Sequence, residues 1–121
     1  MIQLFLGKAV LLATFVGCYD GDTCTLEFIG TPRILMQQKL RFADFDTPEI
    51  RGQCRWEKKL AREAREVTKA YVQGGGELKL TGKRGKFGRL LVRADPLRDD
   101  LVDKGLAVKW AGRRHNWCAE Q

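Results

Sequence analysis

The stretch Leu40-Arg41-Phe42-Ala43-Asp44-Phe45-Asp46-Thr47-Pro48-Glu49 runs an apolar strand pattern straight into a cluster of charge. Leu40, Phe42 and Phe45 supply the apolar side chains, and the run stops at Thr47-Pro48 because proline has no backbone N–H to give a sheet ladder. A strand therefore ends in a turn here, with Arg41 at its start and Asp44, Asp46 and Glu49 near its end. That is more charge than a strand terminus needs for solubility, and it reads as half of an active site. Asp44 itself reads equally as a supporting carboxylate or as a surface one.

A second acidic turn lies upstream at Tyr19-Asp20-Gly21-Asp22-Thr23. Asp-Gly between two apolar stretches, residues 9–16 and 24–29, is a strong hairpin signal, with the glycine expected at positive φ. Asp20 reads mainly as a shaper of that turn, whereas Asp22 leaves it at the head of a strand. Downstream, Lys83-Arg84-Gly85-Lys86-Phe87-Gly88-Arg89 is a glycine-punctuated basic loop that opens onto Leu90-Leu91-Val92. Two acidic turns and one basic loop make a site for a hard cation and a phosphate.

The remaining elements follow from periodicity. Residues 9–29 read as two antiparallel strands joined at Gly21, and residues 39–45 as a third after a polar connection. The spacing predicts a helix over 56–73, with Trp56, Leu60, Ala64, Val67 and Tyr71 on its apolar face and Glu57, Lys58, Arg62, Glu63, Arg65, Glu66 and Lys69 on a solvated one. Gly74-Gly75-Gly76 stops it. Strands at 77–81 and 89–94 follow. A second helix is expected at 97–106, with Asp99 and Asp100 favoured in its first turn by the helix dipole, and then a brief extended piece at 107–110. Residues 113–121 are too polar and short to assign. The fold class is α+β: a five-stranded barrel with a long helix between strands 3 and 4 and a second helix after strand 5, one domain over 1–121.

The 121 residues carry a formal net charge of +7 and a pI near 9.5. Such a balance favours a polyanionic partner, nucleic acid first and an anionic membrane surface second. The apolar start, residues 1–17, contains Lys8 and falls short of the roughly 20 residues of a membrane span, so no stable span is expected and 9–16 reads as the first strand. Four cysteines at 18, 24, 54 and 118 allow three full pairings. Cys18 and Cys24 sit symmetrically about Gly21, where a hairpin would let them bridge; free thiols stay open, and the spacings do not suit zinc.

Asp20-Gly21-Asp22-Thr23, then Arg41 followed closely by Asp46-Thr47-Pro48-Glu49, then Phe87-Gly88-Arg89, in that order, resemble the signature of the staphylococcal nuclease (thermonuclease) family. The resemblance covers most of the chain up to Trp110 and selects an OB-fold Greek-key barrel. It implies a monomeric, calcium-dependent nuclease that hydrolyses phosphodiester bonds of DNA and RNA with weak sequence preference, single strands or frayed duplex being favoured, and leaves 3′-phosphate ends. Asp22, Asp46 and the Thr47 backbone carbonyl would then hold Ca2+, with Mg2+ as the rival. Glu49 would orient or deprotonate the attacking water, and Arg41 and Arg89 would grip phosphoryl oxygens. Lys86 and Phe87 would contact substrate, although Phe87 reads equally as core packing. Beyond Trp110 the chain lacks the tyrosines and final helix of the family pattern. Four cysteines and calcium use point to a secreted or periplasmic setting, without a complete signal peptide in the chain. Two other readings compete: a non-catalytic nucleic-acid or protein-binding module on the same barrel, and a membrane-attached protein whose basic face meets anionic lipid.

Overall fold

Ile2 and Leu4 are buried while Gln3 is exposed, the alternation of a strand with one face on a core, and a first strand β1 (Ile2–Leu6) therefore precedes the expected start at residue 9. Gly7 at φ +57° turns the chain back into β2 (Ala9–Asp20), which pairs antiparallel with β1. The computed structural model describes residues 1–120; Gln121, the end of the unassigned tail, lies outside them. β3 (Thr23–Phe28) and β4 (Gln37–Phe42) complete an antiparallel meander, and a short 3-10 turn at Arg33–Leu35 links them. The chain continues through β5 (Phe45–Asp46), α1 (Arg55–Gln73), β6 (Leu78–Arg84), β7 (Leu90–Arg93), α2 (Asp95–Asp103) and β8 (Val108–Lys109).

Six strands close a barrel in the order β1-β2-β3-β4-β7-β6, with β4–β7 and β1–β6 parallel. The α+β class and the two helices agree with the sequence expectation, but the barrel has six strands and not five. The five expected strands keep their places, and β1 is intercalated between β2 and β6. Gly7-Lys8 was the turn signal inside a stretch that reads as mostly apolar. The strand expected at 39–45 also breaks: β4 ends at Phe42, the Ala43 N–H makes a last bond to Val92 O at 2.9 Å, and a separate strand resumes at Phe45. Phe45 and Asp46 then pair with Lys109 and Val108 in a separate two-stranded ladder.

Leu4, Leu26, Leu40, Phe42, Phe45, Leu78 and Val92 are essentially inaccessible to solvent, and each contributes about 1.5–3 kcal/mol by burial. This core fixes the ends of β3 and β4 from which the site is built. α1 lays Leu60, Ala61, Ala64, Thr68 and Val72 against the barrel. Gly74 ends it by donating to Ala70 O, and Gly75 follows at φ +79°. α2 starts two residues before the expected boundary. It closes through Gly105 at φ +71° and a Leu106 N–H to Leu101 O bond of 2.8 Å. Among the described residues no helix is long and apolar enough to cross a membrane.

Gly21 corrects its expected role. It does not take up positive φ; instead a Cβ there would stand 2.8 Å from Ala64 Cβ and 3.2 Å from the Ala64 carbonyl carbon. The turn is docked on α1, and Thr68 Oγ1 donates to Gly21 O at 2.6 Å. Gly21→Ala is therefore expected to destabilise by about 1–3 kcal/mol, the range for forcing a methyl into a packed interface. Denaturant unfolding checks it, and an unchanged midpoint would refute the close approach.

Candidate active site

β2 ends at Asp20, the turn supplies Asp22, and β3 begins at Thr23, which lies opposite Arg41 of β4 in the ladder. Asp46 ends β5, Glu49 lies in the loop that follows, and Lys86 and Arg89 come from the loop joining β6 to β7. Asp22, Arg41, Asp46, Glu49, Lys86 and Arg89, far apart in sequence, line one cleft of about 370 Å³. Asp20 and Arg114 line it as well.

Arg41 is fixed at its centre. Its Nη1 stands 2.9 Å from Asp22 Oδ2 and donates to the carbonyls of Phe42 at 2.9 Å and Phe45 at 3.1 Å. The guanidinium also lies over the Trp110 ring, 5.8 Å from its centroid. Thr47 is fully buried and is not among the residues lining the cleft; it donates its N–H to Asp22 Oδ2 at 3.2 Å. Its Oγ1 is buried without a hydrogen-bond partner among the described residues. Arg89 donates through Nε to Lys86 O and stands over the Phe87 ring at 5.7 Å.

The carboxylates press on one another. Burial first, then the Asp22 and Glu49 charges, raise the Asp20 carboxyl to about 6, although an N–H from Ile50 at 2.8 Å works against the shift. Asp20 is thus more than a turn former, because it ties the 47–54 loop to β2. Burial and the Asp22 charge raise Asp46, opposed by the His115 N–H donated to its Oδ2 at 2.9 Å and by Arg41 and Arg114. Glu49 is raised by burial and by Glu57, Asp22 and Asp46, with Arg114 pulling it down.

Asp22 and Asp46 offer carboxylate oxygens, the donor type that a hard divalent cation takes. Both are nearly withdrawn from water, and Asp22 Oδ2 already meets Arg41 Nη1 and the Thr47 N–H. Among the described residues no three His, Cys, Asp or Glu side chains are grouped as a metal cage. Asp22, Asp46 and a backbone carbonyl would thus be a sparse ligand set, the kind calcium tolerates through its flexible geometry.

Phe87 does not join the cleft. It is 93% exposed with φ +62°, which rules out the core-packing alternative. With Tyr19, Thr25, Lys39 and Arg89 it lines a neighbouring groove of about 500 Å³. Asp44 stands outside the cleft and pairs with Arg93 at 2.9 Å and Arg98 at 3.6 Å, a supporting role for the β4–α2 corner.

Sequence reasoning missed two residues. Glu57, assigned to the solvated face of the long helix, is 2% exposed; its carboxylate accepts the N–H groups of Glu49 at 3.1 Å and Gln53 at 3.0 Å. Arg114 falls in the unassigned tail, yet its Nη1 reaches Glu49 Oε1 at 2.9 Å and its Nη2 meets Glu57. Cysteine pairing was the available signal: Cys18 bridges Cys24 across the hairpin, and Cys54 bridges Cys118, which carries the tail to the start of α1. No family model and no curated protein matches the chain.

Proposed function

We propose that the chain is a calcium-dependent nuclease that hydrolyses phosphodiester bonds of DNA and RNA, with Mg2+ as the rival ion. The observation that carries this reading is the convergence of Asp22, Arg41, Asp46, Glu49 and Arg89 on one cleft of a basic protein. The barrel is read as OB-type, with β1 added to its five-stranded frame.

Asp22, Asp46 and the Thr47 carbonyl would hold the ion, which when bound neutralises charge on the phosphoryl group and polarises it. Glu49 takes the proton as the water oxygen bonds to phosphorus. The bond from phosphorus to the 5′ oxygen breaks, and that oxygen is protonated by solvent, leaving a 3′-phosphate end. Arg41 and Arg89 bind the phosphoryl oxygens, where a guanidinium stays charged at any working pH. Lys86 adds attraction without sequence readout. Phe87 and Tyr19, exposed beside Arg89, offer stacking faces to unpaired bases, which supports single strands or frayed duplex as substrates. Two disulfides support an oxidising compartment, secreted or periplasmic.

One observation favours a second reading, a binding module without turnover: Arg41 already pairs with Asp22, as in a site closed on itself. Digestion of end-labelled single-stranded DNA in calcium, in magnesium and with chelator separates the two. Cleavage in calcium with 3′-phosphate ends, lost in chelator, is the expected result. Salt-sensitive binding with no cleavage in either ion would overturn the nuclease reading in favour of the module.

A further inference from the structure

We propose that Arg114 is a positioning residue for Glu49 and that the Cys54–Cys118 disulfide holds it in place; the inference rests on the nuclease reading above. Glu49 is fixed at two points that share one partner. Its backbone N–H donates to Glu57 Oε2 at 3.1 Å, while its side-chain Oε1 meets Arg114 Nη1 at 2.9 Å, and Arg114 Nη2 in turn meets Glu57. A single buried carboxylate thus sets both the loop that carries Glu49 and the guanidinium that aims its side chain. A planar fork suits this task because it engages two carboxylates at once, which a lysine ammonium on a flexible stem does less well.

Little else in the tail keeps Arg114 there. Residues 111–114 are exposed and form no helix or strand. The docking comes from the three residues that follow in contact with the body: the His115 N–H on Asp46, the buried Trp117 ring, and Cys118 bonded to Cys54, the N-cap of α1. The disulfide joins positions 64 residues apart, so it removes a large loop entropy that would otherwise favour a detached tail. Cys118 Sγ also lies 3.8 Å from Glu57 Oε1, so the bridge ends beside the carboxylate it serves.

The test uses the oxidised full chain with calcium and single-stranded DNA. Arg114→Ala is expected to lower kcat by about 10- to 100-fold, the scale of a misplaced catalytic group, with KM within about twofold. Its melting temperature should fall as well, because the buried Glu57 carboxylate loses its cation, so kcat is compared at a temperature where both proteins are folded. Arg114→Lys should recover part of the loss. Cys54→Ser/Cys118→Ser, which spares the hairpin bridge, should reproduce the kcat loss, and adding Arg114→Ala to it should cost nothing further. Hydrogen exchange gives a readout independent of turnover: exchange at 111–118 should rise in the double serine variant, and the Glu49 amide should exchange faster in Arg114→Ala. A loss confined to KM would make Arg114 a substrate-binding cation and overturn the proposal, as would full kcat in either variant. Wild type inert in calcium would sink the nuclease reading, whereas unaltered Glu49 exchange in Arg114→Ala would sink the positioning claim on its own.

Discussion

Glu49→Gln should lower kcat by about 10²- to 10⁴-fold, the range for removing a positioned general base, while calcium and DNA binding stay near wild type. The amide matches the carboxylate in shape and can still meet the Arg114 guanidinium through its oxygen. What it loses is the ability to accept a proton from water. The loop is not disturbed, because its hold on Glu57 runs through the Glu49 backbone N–H and not through the side chain. The side chain is 47% exposed, so the substitution opens no cavity, and stability should stay within about 0.5 kcal/mol. Steady-state kinetics beside a melting curve and calcium titration check all three statements. Activity equal to wild type would remove Glu49 from the mechanism, whereas equal losses in melting temperature and kcat would mean that it acts through the fold.

The parts of the site legible in the sequence are those in which one residue answers to its immediate neighbours. Thr47-Pro48 ends a strand because of proline's missing N–H, so Asp46 and Glu49 could be placed at a strand end without knowledge of the rest. Asp22 beside a glycine turn is the same kind of inference. Partners brought by long-range closure were not legible. β1 was not separable because the stretch 1–17 shows only the brief alternation Ile2-Gln3-Leu4, too short to stand apart from the apolar run after it unless Gly7 and Lys8 are read as a turn. Gly21 looked like a turn glycine, yet its requirement comes from Ala64 on a helix more than forty residues later. Glu57 has the spacing of a solvated helix residue, and only the loop folded over the start of α1 makes it a buried acceptor. Gly52 carried a trace of this: a Cβ there would lie 2.5 Å from Glu57 Cγ, so the loop needs glycine to approach the helix. Arg114 had no local pattern at all, and its place follows from which cysteine meets Cys54.

Glu57→Ala should be the most destabilising of the substitutions considered, by about 3–5 kcal/mol, the cost of breaking one side of a buried charge pair. Three groups lose their partner together. The N–H groups of Glu49 and Gln53 are left without an acceptor beneath the loop, at about 1–3 kcal/mol for each buried orphan, and the Arg114 guanidinium keeps only the half-exposed Glu49. These terms overlap, since a relaxing loop lets water reach all three, so they do not add. For a chain of this size the loss corresponds to a fall in melting temperature on the order of 10 °C or more. Glu57→Gln should fall between the two, because its amide oxygen still accepts one of the N–H groups while its NH2 faces Arg114 unfavourably. Glu63 on the same helix is exposed, and Glu63→Ala should change stability by no more than about 0.5 kcal/mol. Calorimetry on the three variants with both disulfides intact decides the matter. Equal melting temperatures for Glu57→Ala and Glu63→Ala would mean that the loop carrying Glu49 is held by something other than this carboxylate. The expected ordering would instead tie the stability of α1 and the placement of Glu49 to one buried side chain.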